Sequence, residues 1–326
     1  MRARTHTITA PSVDVIAECV HAAVQAPSIH NTQPWRFEAH GRDIDVYADR
    51  SRQLSVLDPS GRQLLMSVGA AVFNLRLALF VHGRMPVQRL LPDPARPDLV
   101  ARVSAGPTTV AASTAQILAA AIPHRHTNRF PFQPAAIPWP VLDELIGAAT
   151  AEGATLNHAE PVVRDAILAV TRTADDRFRA RTDYQAELAA WTSTAPDRRD
   201  GVPADVCGPT DLAYRLPLRE FCPPVHQATF ERHPALMILA TRGDTPYHWL
   251  RAGEALQRVL LTATARRLDA SPLNQALEIP GLRRLVTDQS AGRYAQTILR
   301  MGYGGPVPAT PRRPLAEVLQ TGGSPP

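Results

Sequence analysis

The sequence predicts an α+β protein of two tandem, pseudo-symmetric halves, each a mostly antiparallel sheet flanked by helices. Three observations carry that expectation. Long segments repeat apolar residues at helical spacing, and short alternating runs separate them. Two such runs, WRFEA and DIDVYA, flank His40-Gly41-Arg42 in the manner of a hairpin. Two long helical stretches also superimpose: Gly69, Ala71, Val72, Leu75 and Leu77 match Gly253, Ala255, Leu256, Val259 and Leu261, in the same relative place of each half.

Taken in order, Val13, Ile16, Ala17, Val20 and Val24 form an apolar stripe behind a Ser12 or Asp14 cap, and Pro27 ends that helix. After the hairpin, a helix from about Gly61 to Val81 buries Leu65, Val68, Val72, Leu75 and Leu79, with Gly83 as the residue just past its end. PVQRLL and DLVARV read as strands, and a helix near 114–121 leads into IPHRHTNRFPF. The second half repeats the grammar. It has a helix near 140–150, a strand around ATLNH, a helix after Pro161, the strand ALMILAT, a helix from about His248 to Arg267, and TILRMGY as the last strand. The segment 192–234 is rich in Pro, Asp and Arg and carries Leu212, Tyr214, Leu216, Leu218 and Phe221. It reads either as a lid with apolar anchors or as a disordered loop.

Composition excludes several classes. Net charge is +5 without a dense basic run, and only 6% of residues are aromatic, which argues against nucleic-acid binding. No uninterrupted apolar run is long enough to span a bilayer, and the N-terminal residues lack the apolar core of a secretory signal. The chain has no Lys, a bias best read as that of a GC-rich genome. Cys19, Cys207 and Cys222 are few and without CxxC spacing, so the expectation is a reducing cytoplasm, no disulfide and no metal site. Cys222 and His226 read as part of the lid rather than as a nucleophilic pair.

Two stretches carry chemistry. APSIHNTQPWRF, 26–37, packs small, polar and turn-forming residues directly after a helix. HRHTNRF, 124–130, places Arg125, Thr127 and Arg129 at alternate positions, which face one way in an extended segment. Two guanidiniums and a hydroxyl suit a phosphate. Taken by itself such a trio is more often a solvated basic turn. His124 and His126 lack the carboxylate or Cys partners of a metal site.

In combination these residues resemble a family. The first stretch is similar to the P-S-x-x-N-x-Q-P-W segment of nitroreductase-like FMN flavoproteins, and RHTNR to their R-x-[ST]-x-[RK] phosphate motif. PRRPLAEVL, 311–319, resembles their basic tail, and SPLNQALEIP, 271–280, their loop beside flavin N5. The resemblance covers roughly 12–190 and 235–320, and is closest to the Acg-like subgroup, in which two nitroreductase-like halves are fused. It implies a nitroreductase-like fold with halves 1–122 and 123–326, and a lid insert at 192–234. It implies FMN as cofactor and NAD(P)H as electron donor. Pro27, Ser28, Ile29 and Asn31 would lie on the flavin ring, with Ser28 and Asn31 bonding its polar rim. Arg125, Thr127, Arg129, Arg312 and Arg313 would clamp the phosphate, and the backbone of Leu273, Asn274 and Gln275 would face N5. Trp35 is expected in the core; Tyr184, Glu187 and Trp191 align loosely with further flavin contacts. No catalytic side chain is expected, since the cofactor carries the electrons.

The chain also departs from the family pattern. Its N-terminus offers only Arg2, Arg4, Thr5 and Thr7 in place of a phosphate motif, and GATLNHAEP replaces the second P-S-x-x-N. The halves therefore complement each other: one flavin site per chain is expected, in a monomer that needs no partner copy. The expected function is NAD(P)H-dependent reduction of nitro compounds or quinones. The alternative is flavin binding or storage under a lid, with little turnover.

Overall fold

The computed structural model describes residues 9–193, 195, 197–213, 216–222, 226–288 and 291–321. The N-terminal Arg and Thr residues and Tyr214 lie outside these. Ser12 caps α1 (Val13–Val24), its Oγ accepting from the Val15 amide at 3.3 Å. After a tight turn the chain forms the hairpin β1 (Trp35–His40) and β2 (Asp43–Ala48), antiparallel from Trp35↔Ala48 to His40↔Asp43. Gly41 sits at its tip with φ +60. Next come α2 (Arg62–Val81), β3 (Arg84–Leu90), β4 (Leu99–Thr108) and α3 (Ser113–Ala121). Gly83 follows α2 in the left-handed region, φ +73, as its position after the apolar stripe predicts.

The chain continues with α4 (Trp139–Ala151), β5 (Thr155–His158) and α5 (Pro161–Arg179). Then come α6 (Thr182–Ala190) and four two-residue strands, β6 (Thr192–Ser193), β7 (Val202–Pro203), β8 (Thr210–Asp211) and β9 (Gln227–Ala228). The core strand β10 (Ala235–Thr241) leads to α7 (Pro246–Ala265), β11 (Asp269–Pro272), α8 (Pro280–Val286) and β12 (Tyr294–Gly302). The described chain closes with α9 (Leu315–Val318) and β13 (Leu319–Thr321).

Among the described residues the strands form two main sheets, β13-β1-β2-β4-β3 and β11-β12-β10-β5. Every pairing within them is antiparallel except that of β13 with β1, which is parallel through Phe37↔Leu319. TILRMGY is therefore not the last strand: the C-terminal segment returns to the first sheet. Three residues in a Pro-flanked stretch carry too little pattern to announce an edge strand. α6 and α8 were likewise not legible; both are short and border Pro- or Arg-rich text.

α2 and α7 cross at the centre. The five stripe residues of α2 are buried, but so are Leu64, Met66, Ala70, Phe73 and Leu77 on its other sides. A helix covered on all sides has no polar face to spare, which is why α2, alone among the described helices, has the length and hydropathy that would suit a bilayer while lying in the protein core. The crossing is a backbone contact. A Cβ added at Gly69 would lie 2.2 Å from the Leu250 carbonyl oxygen, and one at Gly253 would lie 2.0 Å from that of Met66. Each glycine thus meets the residue three before the other. Around this contact Arg76 bridges Glu152 (3.0 Å) and Glu254 (2.8 Å), two carboxylates with almost no exposure.

The Pro- and Arg-rich segment is folded rather than structureless in its described parts. β6 pairs with β7 and β8 with β9, both parallel. Leu216 enters a cluster with Phe230, Leu236, Leu273 and Ile298, and Leu218 packs against it, while Leu212 is exposed and anchors nothing. One expectation is overturned: Cys207 and Cys222 are joined by a disulfide, Cα atoms 6.0 Å apart. The loop between them doubles back and brings together cysteines whose spacing in sequence carries no pairing signal. Cys19 is the buried free thiol, pushed up to about 12 by burial and by the neighbouring Glu18 charge.

Candidate functional site

The turn after α1 is built under backbone strain. His30, Asn31 and Gln33 all have positive φ, at +46, +54 and +50. Left-handed non-glycine residues cost of order 1 kcal/mol each, and such runs persist only where surrounding contacts over-determine them. Those contacts are present. Ser28 Oγ accepts from the Gln33 amide at 3.0 Å, and the Ile29 amide donates to Ser67 Oγ of α2 at 3.1 Å. Asn31 Nδ2 donates to the carbonyls of Gly201 (3.0 Å) and Pro311 (3.1 Å), and its Oδ1 accepts from Arg312 at 3.2 Å. Gln33 Nε2 donates to Arg199 O at 2.8 Å and its Oε1 accepts from the Arg313 amide at 2.8 Å.

The Asn31 side chain thus braces Gly201 and the C-terminal tail against the turn. Ser28 borders the cavity with a hydroxyl already engaged in the turn. Two loops converge here, and their carbonyls would otherwise be buried unpaired. Trp35 is fully buried, as expected.

A cavity of about 320 Å³ lies beside this turn. Pro27, Ser28, Ile29 and His30 form one wall, with Gln63, Met66 and Ser67 of α2. Thr127, Arg129, Asn274 and Gln275 form a second, α5 contributes its 172–179 stretch, and the disulfide-closed loop 207–222 supplies described residues to the remaining side.

The expected clamp divides into two cationic groups. Arg125 and Arg312 both donate to the Gln25 carbonyl, at 3.4 and 3.3 Å, so their guanidiniums are neighbours. Arg125 is buried and Arg312 half-buried, no carboxylate pairs with either among the described residues, and the Nε of each lacks a hydrogen-bond partner, while Arg312 Nη1 already donates to Asn31, Thr310 and Pro311. Burial, with the Arg312 charge, lowers Arg125 to about 9; burial lowers Arg312 to about 10. Two adjoining guanidiniums kept from water without a counter-ion are costly, and an anion with several acceptor oxygens relieves both the desolvation and the mutual repulsion. The donor set therefore fits a phosphate.

Arg129 belongs to the other group. It donates to Val206 O at 3.1 Å, and its guanidinium lies 4.7 Å from the centre of the Phe221 ring. Burial, with the Arg219 charge, lowers it to about 10. The alternation of Arg125, Thr127 and Arg129 would hold in a regular strand. Here only Thr127 makes a bridge, to Ala270, while Asn128 is fully buried and donates to Gly305 O at 3.0 Å. Arg313 also departs from the clamp: its guanidinium donates to Gln33 O and to Glu317 Oε2, both at 3.3 Å.

In the 273–275 loop, Leu273 turns its side chain into the core, and its amide is taken by Ile298 O at 2.9 Å. Asn274 and Gln275 do border the cavity. Asn274 Oδ1 accepts from Thr297 Oγ1 (3.0 Å) and the Ile298 amide (2.9 Å), and Gln275 Nε2 donates to Pro217 O at 2.9 Å. Tyr184, Glu187 and Trp191 sit elsewhere. Tyr184 stacks on Phe178, Glu187 accepts from the Val56 and Leu57 amides, and Trp191 lies by Arg52 and Arg198. No group of three or more potential metal ligands occurs among the described residues.

Sequence reasoning passed over His30 and Arg219, and read Phe221 only as an apolar residue of the 192–234 segment. His30 lay inside the quoted motif; a histidine in a turn of turn-formers was the available signal. Arg219 is buried between Glu278, with which it pairs, and the Tyr184 hydroxyl. Burial is the largest influence and opposes its charge, but Glu278, Tyr184 and Asp175 together outweigh it and raise its pKa. Nothing in REFCPP singles out Arg219.

No family model matches the chain. The Mycobacterium tuberculosis protein Rv3131, which carries a provisional NAD(P)H nitroreductase name, is 33% identical over 331 residues, covering 95% of this chain and 92% of its own. The acg protein of the same organism, provisionally named likewise, is 30% identical over 326 residues, covering 95% and 97%. Among solved structures, the FMN-dependent nitroreductase NfnB of Mycobacterium smegmatis in complex with NADPH gives a TM-score of 0.40. It is 17% identical and matches 64% of this chain and 99% of that one. A nitroreductase-like family protein from Bacillus cereus gives 0.40 at 16% identity, over 67% and 100%.

Proposed function

Because the chain belongs to the Acg-like nitroreductase family, we propose that it binds one FMN in the cavity beside the 27–30 turn. On this reading it serves NAD(P)H-dependent reduction of nitro compounds or quinones. The observation that carries the reading is the pair of buried Arg125 and half-buried Arg312, adjoining and without a carboxylate. These two, which bond Gln25 just before the cavity-lining Pro27 rather than line the cavity themselves, would hold the phosphate. Pro27, Ser28 and Ile29 line the ring side with Ser67, and Asn274 and Gln275 line the facing wall. FMN, when bound, supplies the two-electron relay between a nicotinamide donor and an oxidising substrate. The protein positions it, surrounds it with fixed dipoles, and limits water.

The reading also takes the chain as two fused halves, 1–122 and 123–326, that build one site between them. The turn comes from the first half and Arg125 from the second. The reciprocal Gly69 and Gly253 contacts support a pseudo-two-fold relation between α2 and α7. On this reading the chain acts as a monomer.

One observation favours the second reading, flavin storage with slow turnover. The 207–222 loop supplies a wall of the cavity, and its Phe221 packs against His30. A wall there restricts the approach of a nicotinamide, which must lie on the ring to react. Anaerobic mixing with NADPH while following flavin absorbance separates the two. Bleaching within seconds supports the oxidoreductase, bleaching over many minutes supports storage, and a protein that holds no flavin contradicts both.

A further inference from the structure

His30 is buried and borders the cavity, and neither of its ring nitrogens has a hydrogen-bond partner. An unpaired buried polar group costs about 1–3 kcal/mol, a cost added to the left-handed backbone at the same residue. Such a group is retained where something that enters the site pairs with it. Burial, reinforced by the Arg219 and Arg129 charges, holds the ring neutral, with its pKa well below the usual histidine value. A neutral imidazole offers one donor and one acceptor.

The neighbour of His30 in the cavity is an aromatic ring on a loop. Phe221 meets the imidazole edge-on, ring centres 4.9 Å apart at 84°. The Arg129 guanidinium lies 4.7 Å from the centre of the same ring. A cation near the ring and an edge-to-face partner are general features of aromatic recognition, not specific to phenylalanine. Phe221 is itself only half-buried, and it stands next to Cys222 in a loop anchored elsewhere by Leu216. The slot belongs to the fixed parts of the protein, and its occupant to the loop.

We propose that His30 and Arg129 bound a recognition slot for a planar aromatic ring carrying a hydrogen-bond-accepting oxygen, such as a nitroarene or a quinone, and that Phe221 fills this slot as an intramolecular competitor. The identity of the cavity as a place where such a substrate meets electrons rests on the flavoprotein reading. The slot itself does not. His30 donates its ring N–H to the substrate oxygen, Arg129 lies on the ring, and the loop must withdraw Phe221 first.

The test is calorimetric titration of the purified protein, without reductant, using nitrobenzene and nitrocyclohexane as probes. They share the nitro group and differ in planarity. FMN content is read separately from absorbance. A competitor that fills the slot nine-tenths of the time weakens apparent affinity about tenfold, so Phe221→Ala is expected to bind nitrobenzene about tenfold more tightly. Nitrocyclohexane, which lacks the cation–ring attraction, is expected to bind more weakly than nitrobenzene to the parent and the variant alike, and to gain by about the same factor. Adding His30→Phe to Phe221→Ala removes the gain, whereas His30→Gln, which keeps a donor, retains part of it. Should Phe221→Ala fail to fold, Phe221→Leu keeps the apolar bulk and is expected to move in the same direction. Unchanged nitrobenzene affinity in a folded Phe221 variant overturns the proposal, as does a gain that survives His30→Phe. Flavin-free protein that still shows the gain removes the flavoprotein reading and leaves the slot. FMN-loaded protein without the gain does the reverse.

Discussion

At the residue scale, charge without a partner marks the site. Arg76, Arg102, Arg219, Arg283 and Arg300 all find carboxylates. Arg125, which is buried, and Arg312, which is half-buried, do not. Replacing both by Ala is expected to leave the fold intact and weaken FMN binding by two to four orders of magnitude. This follows from about 1.5–3 kcal/mol per charge-assisted bond and about 1.4 kcal/mol per tenfold. Fluorescence titration of the flavin-stripped protein measures it, and unchanged affinity would refute the phosphate assignment. Asp58 provides a separate test of how burial is tolerated. Burial raises it to about 6, partly offset by the Leu64 amide that donates to it at 2.8 Å. The folded protein therefore takes up this proton before the unfolded chain does, and stability at this site rises as pH falls from about 6 towards the unfolded value near 4. Relative to Asp58→Asn, the parent is expected to gain stability across that window. Paired urea titrations at several pH values read the difference, and parallel profiles would contradict it.

At the scale of elements, the crossing of α2 and α7 is the most sharply constrained feature. Alanine at Gly69 or Gly253 would gain roughly 1 kcal/mol of helix propensity. It would also drive a Cβ to 2.2 or 2.0 Å from a backbone carbonyl oxygen, which only movement of a helix can relieve. Overpacking of this kind typically costs about 1–3 kcal/mol, so each substitution is expected to be net destabilising. The double variant is expected to cost less than the sum, because the first separation makes room for the second. Denaturant midpoints decide the matter, and a stabilised single variant would contradict the close crossing. The equivalence of these two glycines was legible in the sequence, as were the hairpin, the helix caps and the long strands. What was not legible depends on partners distant in sequence. β13 pairs with β1 across the whole chain, Cys207 finds Cys222 only because its loop reverses, and Arg129 turns to Phe221 because the 125–129 segment is not a strand. The motif containing Asn31 was visible, but not the two converging loops whose carbonyls its amide bonds.

At the scale of the whole molecule, the proposed site draws on both halves. The turn at 27–33 is held by the C-terminal tail and by the 198–203 segment, and Arg125 shares the Gln25 carbonyl with Arg312. On the proposed reading, a site assembled this way within one chain needs no second copy, which separates the proposed monomer from a dimer that shares its cofactors across an interface. The most direct measurement of the central claim combines light scattering with flavin released on denaturation, across a dilution series. One FMN per chain, retained by a species of single-chain mass, is the predicted result. No flavin, two flavins per chain, or flavin lost in step with dissociation of a dimer would contradict it.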